Sequence, residues 1–371
     1  MRPIAIAAGG TGGHLFPAEA LAAELSARGE RIVLFTDSRS AAFDSPAFAN
    51  AERFVLAGEG VAGRSILRAA RGAAMLAAGT LTARRLLKRL DASAVVGFGG
   101  YPAIPPALAA LSLGARKPAL ILHEQNAVLG RANRALATRA DLLALAYGET
   151  ARVPTGAKVQ VVGNPVRPAL AALVGEPYPP ADGALRLLVT GGSLGARIFA
   201  DLVPAAIAAL PDYLRGRLLI TQQCRVEDLE RVRAAYSQTG VPVELSPFFP
   251  DIAGRLANAH LVIARAGAST VAEIACAGRP SLLLPLPSAI DNHQVANARA
   301  LEAAGAALVL AQAGMTSARL AQLLAEWLGS PERLAEAARA AASLARPQAA
   351  RDLADLVLAH AAQANLLQEP R

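Results

Sequence analysis

A run of four glycines, a threonine and a histidine at 9–14 joins a short apolar segment to a helical pattern. Glycine at such a junction lets backbone N–H groups approach an anion at the positive end of the helix. The dinucleotide template G-x-G-x-x-G fails because Leu15 occupies the position of its last glycine, and no Gly-Lys-Ser/Thr of a P-loop follows. Asp37 stands where a ribose-binding acid would be, so NAD binding remains an alternative. The segment predicts an anion-binding loop that ends in an imidazole.

A second glycine segment, Gly-Gly-Ser-Leu-Gly-Ala at 191–196, has the same arrangement. Ser193 adds a hydroxyl donor to the backbone N–H groups of this segment. A tight turn without a ligand is the alternative interpretation for each segment. Each half of the chain thus has one loop that could bind an anion. Together they favour two substrates that bind in a cleft between two domains.

A third candidate is the segment 265–278, where small residues lead from an apolar run into a helical pattern. Its residues 270–273 fit a capping box, in which Glu273 would only satisfy an N–H group at the start of the helix. In the other interpretation, Glu273 accepts hydrogen bonds from a sugar diol near the same helix end. The residues alone do not distinguish these two interpretations.

Two polar motifs follow apolar runs, His-Glu-Gln-Asn at 123–126 and Asp-Asn-His-Gln at 291–294. The carboxyl ends of strands are where open α/β sheets bind ligands, although a single polar residue there is often only a loop cap. The five histidines are scattered and no Asp-x-Asp pair occurs, so we predict no metal cofactor. Arg167 and the dipoles of the glycine loops would then neutralise phosphate charge.

Short apolar runs alternate with helical stretches, as in PIAIAA, RIVLFT, AVVGFG and PALILH, and the pattern starts again at LRLLVTGG. Continuous apolar runs that are each followed by a helix indicate buried parallel strands. We therefore predict the α/β fold class, with two doubly wound, Rossmann-like domains. Five prolines within 163–183 indicate a linker. We place the N-terminal domain at 1–163, the C-terminal domain at 164–345, and a terminal helix at 346–371. This helix could pack on either domain, and packing back on the N-terminal domain is the arrangement that we name.

The 371-residue chain carries a net charge of +8, and the whole excess lies in one half. Residues 1–163 hold 19 Lys and Arg against 11 Asp and Glu, whereas residues 164–371 hold 18 of each kind. We expect an anionic partner for the first half: a phosphorylated substrate, an anionic membrane or nucleic acid. The two cysteines, the short apolar run at the N-terminus and the lack of an apolar run that could span a bilayer favour a reduced cytoplasmic protein without a transmembrane helix.

The segment 61–90 holds seven basic residues and no acidic one, with leucines and a methionine among them. One interpretation is a solvated basic helix packed on its own domain. The other is a membrane surface, with basic side chains toward anionic headgroups and apolar ones in the interface. The candidate residues of this surface are Leu67, Met75, Leu76, Arg84, Arg85, Lys88 and Arg89. Nucleic acid is disfavoured because the segment has no aromatic residue for base stacking.

Taken in order, the motifs GGTGGH, GFGGYPAIPP, HEQNAVLGRANR, GNPVR, GGSLGA and RAGASTVAEIACAGRPSLLLPLPSAIDNHQ resemble those of the MurG family of N-acetylglucosaminyltransferases, in glycosyltransferase family 28. The resemblance extends over nearly the whole chain. It implies a GT-B fold, in which two Rossmann-like domains face each other across a cleft. It also implies inverting transfer of GlcNAc from UDP-GlcNAc to the 4-hydroxyl of MurNAc in lipid I, which gives lipid II with a β-1,4 link for peptidoglycan synthesis.

The same resemblance implies a donor site that lies mostly in the C-terminal domain. The residues around UDP-GlcNAc would be Thr11, Gly12, Gly13, Asn126, Arg167, Ser193, Phe249, Ala268, Ser269, Thr270, Val271, Ala272, Glu273 and Gln294, with His293 as a further sugar contact. Ser193 and Arg167 would lie near the diphosphate. The backbone of Phe249 would recognise uracil, and Glu273 would bind the ribose.

His14 is the first candidate for the general base, since an unperturbed imidazole titrates near neutrality, and Glu124 is the second. Binding the acceptor diphosphate is the other role open to His14. The implied acceptor is undecaprenyl-diphosphate-linked MurNAc-pentapeptide, and the implied location is peripheral, on the cytoplasmic face of the bacterial inner membrane. The alternatives are a UDP-GlcNAc 2-epimerase, another glycolipid glycosyltransferase, a non-catalytic nucleotide-sugar-binding protein and a nicotinamide oxidoreductase.

Overall fold

The computed structural model describes residues 2–43, 45–56, 66–192 and 195–366, with the side chains of 66–69 and of residue 115 excepted. Contacts between residues divide the chain into two compact units. Unit 1 consists of Met1–Pro168 and Gln348–Arg371, and unit 2 consists of Ala169–Pro347.

The strands and helices mostly alternate in chain order. The strands are β1 (Ile4–Ala7), β2 (Ile32–Thr36), β3 (Glu52–Val55), β4 (Ala94–Gly97), β5 (Ala119–Glu124), β6 (Leu142–Leu145), β7 (Val159–Val161), β8 (Leu185–Thr190), β9 (Leu218–Gln223), β10 (Val243–Ser246), β11 (Leu261–Ala264), β12 (Ser281–Leu283) and β13 (Ala307–Val309). The helices are α1 (Gly12–Ala27), α2 (Ile66–Leu90), α3 (Gly100–Leu111), α4 (Arg131–Leu136), α5 (Pro168–Ala171), α6 (Arg197–Ala208), α7 (Asp212–Arg215), α8 (Leu229–Ser237), α9 (Ile252–Asn258), α10 (Ala268–Ala277), α11 (His293–Ala303), α12 (Ser317–Leu328), α13 (Pro331–Ser343) and α14 (Ala349–Leu366).

Unit 1 is built on a seven-stranded parallel sheet with the order β3-β2-β1-β4-β5-β6-β7. The residues of β1 point alternately into two apolar cores, with Ile4 and Ile6 on one face and Ala5 and Ala7 on the other. Helices cover both faces of such a sheet, which explains why its strands are continuously apolar. The strand order reverses between β1 and β4, and ligands bind beyond the carboxyl ends of strands at such a switch point.

Unit 2 repeats this plan with a six-stranded parallel sheet in the order β10-β9-β8-β11-β12-β13. Its switch point lies between β8 and β11. The segment 191–196 follows β8, and the segment 265–278 follows β11. The predicted fold class, two doubly wound α/β units, is therefore confirmed, and the glycine-rich segments lie where this fold binds ligands.

The boundaries between the units differ from the predicted ones by a few residues. The chain stays in unit 1 beyond residue 163 because Gly163 bonds to Leu145 and to the side chain of His123. The guanidinium of Arg167 also lies over the ring of Phe16, 4.4 Å from its centroid. The structure thus places Arg167 in unit 1, whereas the predicted boundary assigned it to the C-terminal domain.

The last helix, α14, packs against α1 of unit 1. Its buried residues Leu353, Ala354 and Val357 belong to the same apolar core as Ile4 and Ile6. An ion pair between Arg28 and Asp355 lies beside this contact, with 2.5 Å between the charged atoms. The chain therefore returns from unit 2 to complete the core of unit 1.

Candidate active site

The glycine segment at 9–14 is held tightly against the neighbouring loops of unit 1. A Cβ on Gly9 would lie 3.0 Å from Oδ1 of Asp37 and 3.1 Å from Cγ of Pro102. Gly10 has a φ of +85°, and its N–H donates to Oγ of Ser40 at 2.8 Å. The segment needs glycine because the backbone packs where a side chain would collide and turns where other residues are strained.

Both carboxylate oxygens of Asp37 accept hydrogen bonds from the loop that follows β2. Its Oδ1 accepts the N–H of Ser40 at 3.0 Å, and its Oδ2 accepts the guanidinium of Arg39 at 2.8 Å. Burial alone would raise the pKa of Asp37, but the hydrogen bonds from Ser40 and Arg39 outweigh it and hold the pKa below its usual value. The NAD alternative thus loses the residue on which it rested.

His14 lies in the first turn of α1, with its ring half-buried against the Gly99–Gly100 backbone. Its Nδ1 is 3.1 Å from Oε1 of Gln125. Both glycines have positive φ, and a Cβ on Gly100 would lie 3.2 Å from Cδ2 and 3.3 Å from Nε2 of His14. The loop after β4 therefore leaves space for an imidazole that the loop after β5 orients.

Glu124 is buried and accepts four hydrogen bonds. Its Oε1 accepts the backbone N–H and the side-chain amide of Asn126, at 3.1 and 2.9 Å. Its Oε2 accepts the N–H of Gly130 at 2.8 Å and the amide of Asn133 at 3.0 Å. A carboxylate whose oxygens both face donors holds a loop together, so the geometry favours His14 over Glu124 as the base.

The other residues predicted for the donor from unit 1 gather at the N-terminal end of α1 and in the loop after β5. Thr11 is exposed at the N-cap of α1, and Gly12 and Gly13 form its first turn. Asn126 is half-buried beside Glu124. Backbone N–H groups at a helix start are suited to an anion, as the sequence predicts.

In unit 2, the side chain of Gln223 joins two loops at the switch point. Its Oε1 accepts the N–H of Gly191 at 2.9 Å and the hydroxyl of Thr190 at 3.0 Å. Its Nε2 donates to the carbonyls of Gly192 and Pro247, at 2.9 and 3.1 Å. A Cβ on Gly191 would overlap the backbone that follows the loop. Ser193, the predicted phosphate donor, lies outside the described residues.

Phe249 lies in the loop that Gln223 holds at Pro247. Its side chain is buried, and the guanidinium of Arg255 lies 4.1 Å from the centroid of its ring. Arg255 is in turn paired with Glu244 at 2.6 Å. The side chain thus anchors the loop, and the contact of its backbone with uracil stays a prediction.

The N-cap residue of α10 is Gly267. It lies three residues before Thr270, the first residue of the predicted capping box. Thr270 is therefore inside the helix, and the capping-box interpretation of Glu273 is wrong. Ala268 and Ser269 open the helix; the Oγ of Ser269 is buried and accepts or donates no hydrogen bond within the described part of the chain. Val271 and Ala272 continue the same turn. A buried hydroxyl beside helix N–H groups forms an anion-binding arrangement.

The first two residues of α11, which follow the loop after β12, are the two predicted sugar contacts. Oε1 of Gln294 accepts the N–H of Leu286 at 2.9 Å. Nδ1 of His293 lies 2.8 Å from the carbonyl of Ile290, which can only accept, so Nδ1 carries a proton. The start of this loop is held by Arg265, which donates to the carbonyls of the two residues after β12.

The predicted membrane surface falls on α2. Arg84, Arg85, Lys88 and Arg89 are exposed, and Arg89 lies 3.6 Å from Glu52. The apolar candidates Met75 and Leu76 are half-buried, and the side chain of Leu67 lies outside the described residues. Leu87 is buried in the core of unit 1. Within the described ranges, no helix is long and apolar enough to cross a bilayer.

Sequence reasoning missed the residues that hold these loops. Gln125 lies in the motif at 123–126 and Gln223 ends the run LLITQQ, yet neither was assigned a role. The signal was available, because a polar residue that ends a buried strand lies at the ligand-binding edge of the sheet. Arg265 opens the candidate segment 265–278 directly after β11, yet it too was assigned no role. Asn133 carried no such signal, since its role depends on α4, which folds back toward Glu124.

Comparisons with known proteins match both units. The model of the glycosyltransferase family 28 N-terminal domain matches residues 4–144, and that of the glycosyltransferase family 28 C-terminal domain matches residues 186–357. Together these two ranges cover most of the chain.

Two relatives share the name UDP-N-acetylglucosamine–N-acetylmuramyl-(pentapeptide) pyrophosphoryl-undecaprenol N-acetylglucosamine transferase. The protein of Granulibacter bethesdensis is 56% identical over 358 residues, which cover 96% of this chain and 93% of the relative. That of Acidiphilium cryptum is 54% identical over 363 residues, which cover 98% of each.

Solved structures agree with the fold. The crystal structure of Acinetobacter baumannii MurG matches with a TM-score of 0.77 and 31% identity, over 97% of this chain and 100% of the other. A putative UDP-N-acetylglucosamine 2-epimerase from Listeria monocytogenes matches with a TM-score of 0.67 and 14% identity, over 98% of this chain and 97% of the other. At that identity, the second match concerns the fold alone.

Proposed function

The chain belongs to glycosyltransferase family 28, and from this premise we propose that it transfers GlcNAc from UDP-GlcNAc to undecaprenyl-diphosphate-linked MurNAc-pentapeptide (lipid I). The enzyme is a hexosyltransferase. The observation that carries the proposal is the match at 56% identity, over 96% of the chain, to a relative named for this transfer. The acceptor atom is the 4-hydroxyl of MurNAc, the new link is β-1,4, and UDP leaves.

The donor diphosphate binds to unit 2 in this proposal. The N-terminal end of α10, the buried hydroxyl of Ser269 and the loop that contains Ser193 supply donors to the phosphate oxygens. Negative charge grows on the diphosphate as the bond to the sugar breaks, so each donor stabilises the transition state more than the ground state. Loss of one such donor costs on the order of 3 kcal/mol, by analogy with an oxyanion hole. Glu273 binds the ribose, and Gln294 and His293 bind the sugar hydroxyls.

Unit 1 supplies the base. Nε2 of His14 takes the proton of the 4-hydroxyl while that oxygen attacks the anomeric carbon. Thr11, Gly12, Gly13 and Asn126 reach the donor sugar, and Arg167 neutralises phosphate charge. Glu124 holds the loop after β5 and takes no proton, since four donors already face its oxygens.

The acceptor lipid requires that the enzyme work at a membrane. We propose that α2 meets the anionic cytoplasmic face of the inner membrane through Arg84, Arg85, Lys88 and Arg89, which are exposed. The excess of positive charge in residues 1–163 supports a contact between this part of the chain and an anionic surface.

Release of UDP from UDP-GlcNAc, measured with and without a soluble lipid I analogue, tests the proposed reaction. We expect release only when the analogue is present, because the sugar needs an acceptor hydroxyl. Release without the analogue, together with N-acetylmannosamine as a product, would assign the chain to epimerisation instead. Binding of UDP-GlcNAc with no turnover under either condition would make it a non-catalytic nucleotide-sugar-binding protein.

A further inference from the structure

Four groups of unit 1 form a continuous chain of hydrogen bonds that ends at His14. Nε2 of His123 is 3.0 Å from the carbonyl of Gly163, and Nδ1 of His123 is 3.0 Å from Nε2 of Gln125. Nε2 of Gln125 also donates to the carbonyl of His123 at 3.1 Å, and its Oε1 is 3.1 Å from Nδ1 of His14. His123 and Gln125 are both buried, so water does not compete for these bonds.

Two backbone carbonyls determine where every proton in this chain lies. A carbonyl can only accept, so Nε2 of His123 must carry a proton toward Gly163. The amide atom of Gln125 that faces the carbonyl of His123 must likewise be the nitrogen, which fixes the orientation of this amide. Burial lowers the pKa of His123 to about 4, so this imidazole is neutral at neutral pH and its Nδ1 accepts from Gln125.

The orientation of the amide decides the tautomer of His14. Oε1 of Gln125 is an acceptor, so Nδ1 of His14 must be the donor, and Nε2 of a neutral His14 is left with its lone pair. We propose that Gln125 and His123 are positioning residues that hold His14 in the Nδ1–H tautomer, with Nε2 as the atom that receives the proton. The proposal rests on the function proposed above for His14.

The same chain supports the proton transfer. The proton of the 4-hydroxyl moves to Nε2 of His14, the bond from this oxygen to the anomeric carbon forms, and UDP leaves with the electron pair of the broken bond. The imidazolium that results keeps its Nδ1–H bond to Oε1 of Gln125, and this acceptor stabilises the new charge. Water then removes the proton from Nε2.

The first test needs no substrate. Two-bond ¹H–¹⁵N spectra of the free enzyme distinguish the two tautomers of each of its five histidines, and the His14→Gln variant assigns the signals of His14. We expect the Nδ1–H tautomer for neutral His14 and the Nε2–H tautomer for His123. An Nε2–H tautomer at His14 overturns the proposal, whatever the outcome of the transfer assay. Conversely, the expected tautomers in an enzyme that transfers no sugar would leave this arrangement intact and overturn only the proposed function.

The second test removes the acceptor. Gln125→Met keeps the approximate volume but has no oxygen for Nδ1, so we expect mixed tautomers at His14 and a kcat lowered about 10- to 100-fold, part of the rate that a general base contributes. The KM for UDP-GlcNAc should change little. Gln125→Glu retains an acceptor and favours the imidazolium, so it should restore part of kcat and move the acid limb of the pH profile upward. Unchanged kcat in Gln125→Met, with or without the tautomer change, overturns the positioning role.

Gln222→Met is the matched control. Gln222 is also fully buried, but it lies in unit 2, where its Oε1 accepts the hydroxyl of Tyr236. This variant removes a buried amide of the same size without touching the chain at His14. Its His14 spectrum and its pH profile should equal those of the wild type; the same tautomer change in this control would contradict a local effect of Gln125.

Discussion

Each of the two candidate bases is surrounded by a different set of partners. Glu124 was predicted from its position at the end of an apolar run, and the sequence could place it at the correct edge of the sheet. The sequence could not reveal that Gly130 and Asn133 fold back to donate to its carboxylate, because those contacts depend on the path of the loop and of α4. The hydrogen bonds that hold the carboxylate of Glu124 are therefore visible only in the structure.

Glu124→Gln tests this difference. The new amide nitrogen would face donors, so the variant should lose about 1–3 kcal/mol in the free energy of unfolding. His14→Gln changes a half-buried residue with one bond and should lose less, about 0.5–1 kcal/mol. Urea titration measures both values, and the transfer assay at saturating substrates should rank His14→Gln as the slower enzyme. A Glu124→Gln variant with wild-type stability and the kcat of His14→Gln would restore Glu124 as a candidate base.

His123 makes stability depend on pH. Its pKa is about 4 in the folded protein against 6.5 in the unfolded chain, because burial disfavours the cation. Between these values the unfolded state binds a proton that the folded state does not, so the folded state loses about 3 kcal/mol as the pH falls through this window. Urea titrations at pH 7 and pH 5 should show about 2 kcal/mol of this loss, because pH 5 lies inside the window.

Two variants isolate the effect of His123. His123→Gln should be less stable at pH 7 and should show a smaller loss on going to pH 5. His360→Gln, which changes a half-buried histidine of α14, serves as the control and should retain the wild-type difference. Equal pH dependence in His123→Gln and the wild type would contradict a neutral, buried imidazole.

Helix starts and the loops before them carry most of the candidate groups that the structure describes, whereas Glu124 ends β5. The sequence predicted these elements because glycine-rich segments follow continuous apolar runs, and the structure places them at the two switch points. The capping box was the wrong interpretation: Thr270 and Glu273 have the right spacing, but the extended residue before the helix is Gly267. A four-residue pattern does not locate the helix start when small residues on either side can also be helical.

Gly100→Ala tests how a loop positions the imidazole. At a φ of +66°, alanine costs about 1–2 kcal/mol in backbone strain. The new Cβ would also lie 3.2 Å from Cδ2 of His14 and displace the ring, so kcat should fall. Gly114→Ala is the matched control: its φ is +64°, and among the described atoms none lies within 4 Å of the added carbon. Both variants should lose similar stability, and only Gly100→Ala should lose kcat; equal kcat would mean that the loop does not position His14.

For the molecule as a whole, the alternation of apolar runs and helical patterns was sufficient to predict two doubly wound units. The packing of α14 on unit 1 was named as one arrangement, but its amphipathic pattern alone could not decide it, because that pattern suits the surface of either unit. The apolar residues of unit 1 beside α1 determine where α14 packs, because α14 joins their core. The excess of positive charge in residues 1–163 could be counted directly from the sequence, since charge is additive along the chain.

Binding to vesicles tests the proposed use of that charge. Neutralisation of Arg84, Arg85, Lys88 and Arg89 to glutamine should weaken binding to anionic vesicles by about 1 kcal/mol for each residue near the surface, and added salt should weaken wild-type binding. Sedimentation with vesicles of mixed anionic and neutral lipid measures both effects. The control neutralises the exposed Arg319, Arg339 and Arg346 of unit 2 and should bind nearly as the wild type does. Binding that neither salt nor the α2 variant weakens would contradict an electrostatic membrane surface.

The structure of the transfer product is the sharpest test of the proposed reaction. The enzyme is incubated with UDP-GlcNAc and a soluble lipid I analogue, and the product is analysed by NMR. We expect one GlcNAc attached through its anomeric carbon to the 4-oxygen of MurNAc, in the β configuration, with one UDP formed for each link. A product with the α configuration, a link to another hydroxyl, or N-acetylmannosamine with the acceptor unchanged would contradict the proposed reaction.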